Sequence, residues 1–148
     1  MFLITNRAID VSSLLSSANK ENGAVAAFMG TVRNHSGGRE VVALHYFVYT
    51  PMALKSFRDI ADEVRNKWGV TQLSIVHRIG RLSVGDVAVA VVALAPHRRE
   101  ALAACSYAID AVKATTPIWK KEFYSDHEGV WIEGCGAPAE EKTHVHAH

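Results

Sequence analysis

At 148 residues the chain has the length of one domain. Hydrophobic residues make up 49% and charged residues 21%, which excludes a disordered chain and leaves enough apolar side chain for a core. Lys and Arg total 16 against 15 Asp and Glu, a formal net charge of +1, so a broad nucleic-acid-binding surface is disfavoured and any basic site must be local.

The first residues, MFLITNRAID, have a short apolar start without a basic region and long apolar run, so they do not read as a signal peptide. Asp10 is placed to cap a helix carrying Val11, Leu14, Leu15 and Ala18 at helical spacing. Gly23 to Val32 (GAVAAFMGTV) reads as a buried strand, NHSGG then breaks the chain, and Val41 to Tyr49 (VVALHYFVY) is β-branched and aromatic. The two segments suggest a hairpin around a long glycine-containing loop, with Arg33 and Arg39 at the loop's ends. Thr50 and Pro51 predict a helix start, Thr as cap and Pro at the first helical position. Phe57, Ile60, Ala61, Val64 and Trp68 form its apolar stripe, and Gly69 ends it.

Leu73 to Ile79 predicts the next strand, and RIGRLSVGD a turn region with a short extended piece. Val87 to Ala95 is apolar throughout, the pattern of a central strand covered on both faces. Arg98 to about Thr115 predicts another helix, with the stripe Leu102, Cys105, Ile109 and Val112, stopped by Pro117. Trp119 to Ile132 alternates loosely, as a hairpin would. The fold class is therefore α+β: a largely antiparallel sheet packed with helices as a two-layer, hammerhead-like sandwich, plus a C-terminal hairpin. A single catalytic domain over residues 1–134 and a polar tail over 135–148 are expected. No run of about 18 apolar residues predicts a membrane span.

Three places carry the same kind of charge: Arg33 with Asn34, His35 and Arg39; His97, Arg98 and Arg99 at a strand-to-helix junction; and Lys113 with Lys120 and Lys121. A helix start with His and Arg suits an anion such as phosphate. Each position also has a plain structural explanation: Lys113 suits the helix dipole, Lys120 and Lys121 a solvated strand face, His97 a cap, and Arg33 a guarded strand edge. Cys105 reads as a small buried hydrophobe and Cys135 as an incidental thiol; the two belong to no Cys-x-x-Cys pair, which fits a reducing, cytoplasmic setting and no metal site. No paired-carboxylate pattern, nucleophile elbow, P-loop or dinucleotide fingerprint is present, so an enzyme built on this chain would work with lysines, arginines and a histidine. Two other readings remain at this level: a non-catalytic α+β module binding an anionic metabolite, and an RNA-binding domain stacking bases on Tyr46, Phe47 and Tyr49.

The stretches GAVAAFMGTVRNHSGG, YTPMA, HRIGRLSVGD, APHRREALAACSYAIDAVK and PIWKKEFY, in that order, resemble the large, catalytic subunit of molybdopterin synthase. The resemblance implies a sulfurtransferase of molybdenum cofactor biosynthesis. Sulfur would pass from the C-terminal Gly-Gly thiocarboxylate of a small ubiquitin-like subunit to cyclic pyranopterin monophosphate, in a heterotetramer built on a homodimer of the large subunit. It implies no cofactor, nucleic-acid partner or membrane partner. Lys113 and Lys120 match the family's catalytic lysines, and Arg33, His97 and Arg98 match pterin-phosphate positions, with a dimer able to supply His97 and Arg98 across its interface. Arg39 and Lys121 join the same substrate-binding set, and Phe28 and Met52 match positions near the pocket. Two departures stand out: Phe47 replaces a common Glu, and Gly134-Cys135 follows the WIE segment where a basic residue is common.

Overall fold

A computed structural model describes residues 1–16 and 19–126, together with the backbone of residues 130–132. Ala18, the Gly134-Cys135 departure and the tail 135–148 lie outside the described residues. The elements run β1 (Phe2–Thr5), α1 (Val11–Leu15), β2 (Ala24–Thr31), β3 (His35–Ser36), β4 (Arg39–Val48), α2 (Thr50–Trp68), β5 (Gln72–Arg78), β6 (Gly80–Ser83), β7 (Val87–Ala95), α3 (Arg98–Thr115), β8 (Ile118–Tyr124) and β9 (Val130–Ile132). The α+β class and the C-terminal hairpin are as expected. The strands divide between two sheets, the first in the order β1-β5-β7-β2 and the second in the order β3-β4-β8-β9 with β6 also paired to β4.

The first sheet is the foundation. Its β7 is buried on both faces, as its unbroken apolar run predicts. On one face α2 and α3 bring Phe57, Ile60, Val64, Ala104 and Ala108 against Ile75, Val91 and Ala93. On the other, α1 brings Leu14 against Val76, Ala90, Val92 and Leu94. Asp10 caps α1 by accepting the Ser13 amide hydrogen bond at 3.1 Å. Gly69 closes α2 at φ 67°, a left-handed turn open to glycine without strain. A smaller core packs Val41, Leu44, Leu82 and Tyr124 of the second sheet with Ala88 of β7 and with Val32 just after β2.

Four expectations need correction. The segments around β2 and β4 do not form a hairpin with each other: β2 pairs antiparallel with β7, while β4 pairs with β6 and β8. Apolar alternation marks a strand but carries no information about its distant partner. β2 is also an edge strand, with Val25 and Met29 exposed, rather than a buried one. In α3 the stripe runs through Ala101, Ala104, Cys105, Ala108, Ile109 and Val112, and Leu102 is 61% exposed. In α2 the cap position belongs to Tyr49, and Thr50 and Pro51 lie in the first turn. The N-terminal strand β1, which sequence patterning did not predict, runs parallel to β5.

Candidate functional site

Lys113 lies in the last turn of α3, exposed to solvent. The end of that helix is pinned to α2 by the Ser56 and Thr116 hydroxyls, 2.8 Å apart. Lys120 lies on β8, in the second sheet. The link between them is set by strand periodicity. Leu73, Ile75 and His77 alternate along β5, and Leu73 and Ile75 belong to the cluster covered by α2 and α3. His77 is the next residue in that row, so it points toward the same helices. Lys113 is close enough for its charge to act on the imidazole.

The chain then leaves the first sheet. Within three residues of His77 it enters β6 of the second sheet, where Gly80 pairs with Tyr46 of β4. The Tyr46 and His77 rings meet edge to face, with centroids 4.9 Å apart. Tyr46 is in turn the direct cross-strand partner of Lys120. Side chains of such a pair share one face of the sheet. The path Lys113, His77, Tyr46, Lys120 therefore crosses from α3 to β8 through two rings.

A carboxylate anchors the far side. Glu122 is 3% exposed, and its Oε1 lies 3.6 Å from the Lys120 ammonium. Its Oε2 accepts the Tyr124 hydroxyl at 2.8 Å. The Tyr124 ring lies under the Arg39 guanidinium, 4.0 Å from its centroid, and Arg39 also donates to Asp126 at 3.2 Å. Arg39, Tyr124, Glu122 and Lys120 thus form a second continuous run.

The titration behaviour follows the burial. His77 is pushed down to about 4, first by burial and also by the Lys113 charge, against the pull of a 2.7 Å hydrogen bond from Nδ1 to the Arg78 carbonyl. The imidazole is therefore neutral near pH 7, with Nδ1 protonated and Nε2 left as an acceptor. Tyr46 is raised by burial and by the Glu122 charge. Tyr124 is pushed up to about 12, by burial and then by its bond to Glu122, with Arg39 working in the opposite direction.

The remaining expected residues do not all converge. Arg33 is exposed just after β2, at the base of the glycine loop. Lys121 projects to the other side of β8, where it stacks over Phe123 at 5.4 Å. His97 and Arg98 are exposed at the start of α3. Fifteen residues of helix separate Arg98 from Lys113, about 22 Å along the axis at 1.5 Å per residue. A single chain therefore does not bring them to the lysines. Phe28 packs at the margin of the main core beside α3, whereas Met52 is 55% exposed on the first turn of α2. Met52 lines a groove of about 590 Å³ between α2 and α3 that Phe28 does not line. Asp59, Glu63 and Asp110 on that groove give it the wrong sign for a phosphate. Phe47, at the position of the departure, stacks on His45 with centroids 4.3 Å apart. Cys105 is buried, and burial raises its thiol, which suits packing rather than nucleophilic attack.

Sequence reading missed His77, Tyr46 and Glu122 as site residues. His77 had a signal, a histidine in phase with Leu73 and Ile75 on a core-facing row. Tyr46 and Glu122 had none, because their place depends on the pairing of β4 with β8, nearly eighty residues apart in the chain.

Proteins of known sequence and structure resemble this chain over most of its length. The family model for "MoaE protein" matches residues 4–115. A Nostoc sp. protein named molybdopterin synthase catalytic subunit is 50% identical over 112 residues, covering 75% of this chain and 68% of its own. The Bacillus subtilis protein of the same name is 40% identical over 132 residues, covering 88% and 83%. The crystal structure of molybdopterin synthase from Staphylococcus aureus superposes with a TM-score of 0.83 at 40% identity, over 88% of this chain and 95% of that one. A Burkholderia ambifaria MoaE protein gives 0.76 at 32% identity, over 94% and 92%.

Proposed function

The chain belongs to the MoaE protein family, and on that premise we propose how it works as the catalytic subunit of molybdopterin synthase. The reaction is sulfur transfer in molybdenum cofactor biosynthesis. The donor is the C-terminal Gly-Gly thiocarboxylate of a small ubiquitin-like subunit, and the acceptor is cyclic pyranopterin monophosphate. The donor's own sulfur is the nucleophile, so this subunit supplies charge and protons.

The observation that supports the reading is the run of neighbours from α3 to β8: the Lys113 charge acts on His77, whose ring packs against Tyr46, the cross-strand partner of Lys120. Lys113 stabilises the negative charge that develops at the thiocarboxylate carbon as it is attacked and released. Lys120, held by Glu122, exchanges protons with the pterin side chain as the cyclic phosphate opens. Arg33 and Arg39 contribute positive charge for the phosphate. An extended Gly-Gly terminus is slim enough to enter a narrow channel, and its backbone offers hydrogen bonds to the walls. The reaction runs in the cytoplasm, and among the described residues no helix is long and apolar enough to cross a membrane.

The 22 Å along α3 gives the dimer a chemical purpose. His97 and Arg98 reach the pterin phosphate from a second copy, so each pocket draws on two chains. Subunit mixing tests this. Lys113→Ala and Arg98→Ala homodimers are each expected to be nearly inactive. After exchange to a random mixture, half of the dimers carry one intact pocket, and about a quarter of wild-type activity returns. No recovery, with exchange verified by mass, would show that Arg98 and Lys113 serve pockets within one chain, and an Arg98→Ala homodimer with full activity would show that Arg98 serves none.

A further inference from the structure

We propose that His77 is a positioning residue that sets the separation of Lys113 and Lys120, because its imidazole lies on the helix-facing row of β5 and packs against the ring of Tyr46. The inference rests on the reading of the two lysines as the catalytic pair. Each lysine belongs to a different structural body. Lys113 travels with α3 and the first sheet, and Lys120 with the second sheet. The core of the smaller sheet joins the first sheet through Ala88 at the start of β7, and Ala88 alternates with Val89 and Val91 of the helix-covered face, so this joint lies on the side away from α3. His77 is the last buried residue of β5 before the chain crosses between the sheets, and its ring packs against Tyr46 of the second sheet. Its row on β5 places it beneath α2 and α3, and its ring edge meets Tyr46, the cross-strand partner of Lys120.

The choice of histidine fits a positioning role. A phenyl ring would fill the slot but could rotate about its bond axis without cost in hydrogen bonding. The imidazole is held in one orientation by its 2.7 Å bond to the Arg78 carbonyl. Arg78 is fixed in turn by Asp86, through a 3.4 Å ion pair, and Asp86 accepts the Ser83 amide hydrogen at 2.9 Å. The ring is thereby tied to the turn that ends β6. A neutral ring also adds no repulsion to Lys113, whose charge acts on it.

The test uses the complete synthase, with the small subunit carrying its thiocarboxylate and cyclic pyranopterin monophosphate as acceptor. His77→Phe keeps the ring and its edge contact and removes the tether. His77→Asn keeps a donor near the Nδ1 position and removes much of the ring. Misplacing a catalytic group by about 1 Å can cost 10²-fold in rate. His77→Phe is therefore expected to lower kcat by roughly 10- to 100-fold. The KM for the pterin should change little and the melting temperature should stay near wild type. His77→Asn should recover part of the lost kcat. A kcat within about twofold of wild type for His77→Phe would overturn the inference while leaving the lysine pair standing, provided that Lys113→Ala is inactive in the same series. Loss of kcat matched by loss of folded protein in both variants would also overturn it, since His77 would then act through stability alone. Full activity in Lys113→Ala would remove the lysine pair itself, and this inference with it.

Discussion

Lys113→Ala is expected to lower molybdopterin formation by roughly 10²- to 10⁴-fold while the chain stays folded. The two effects separate because of where the residue lies. Its side chain is exposed in the last turn of α3, so truncation leaves no cavity and no buried partner without a bond. The structural loss is limited to the favourable interaction of a cation with the helix C-terminus, about 0.3–1 kcal/mol. The chemical loss is larger, because an ammonium facing developing negative charge acts on the transition state directly. Single-turnover assays with thiocarboxylated small subunit, paired with thermal melting, distinguish the two. Retention of a third or more of wild-type activity would return Lys113 to its structural role in the helix dipole. Lys120→Ala should show a mixed result. It removes the proposed catalytic amine and also leaves the buried Glu122 without the cation 3.6 Å away, so activity and stability should both fall.

The second large effect is on stability in acid. Folding lowers the His77 pKa from 6.5 to about 4, so the unfolded chain binds a proton that the folded chain rejects. The sign follows from linkage: stability is highest above pH 6.5, falls as pH drops from 6.5 toward 4, and levels off below. A shift of this size corresponds to about 3 kcal/mol across that window. Burial is the main cause, and the nearby Lys113 charge adds to it. Tyr46 faces the ring from β4 and is neutral throughout this range, its own pKa being raised. Urea unfolding midpoints at pH 7 and pH 4 measure the loss for the wild-type chain and for His77→Phe. The variant should lack the His77 share of the decline, so its stability relative to wild type should rise by about 3 kcal/mol between pH 7 and pH 4. Identical pH slopes would mean that the imidazole is not buried in solution.

How much of this could be read from the chain depends on whether the information was local. α3 was legible from helical spacing and Pro117, and with it the place of Lys113 in a last turn. β7 was legible because a strand buried on both faces needs no alternation. The pairing of β2 was not legible, since its partner β7 lies some sixty residues further along and the nearer β4 has the same propensities. The site divides in the same way. The residue types, lysines and arginines near strand and helix ends, were visible. Their grouping was not: charge similarity linked Arg98 to Lys113, and the rigid length of α3 separates them within one chain. His77 escaped notice because a histidine among apolar residues looks like core, and its importance comes from the crossing between sheets that follows it. Four residues of β1 are too few for a periodic signal, and the strand is secured instead by its parallel pairing with β5.

The most direct measurement asks whether the two amines serve a single ligand. The lysine side chains can be labelled at Cε, with Lys113 and Lys120 assigned by Lys→Arg substitution, and the resonances followed as cyclic pyranopterin monophosphate is added. A shared pocket predicts that both resonances move, with one apparent Kd, and that Lys55 and Lys67 on α2 stay still. Movement of only one, or two different midpoints, would place the lysines in separate environments and contradict the account.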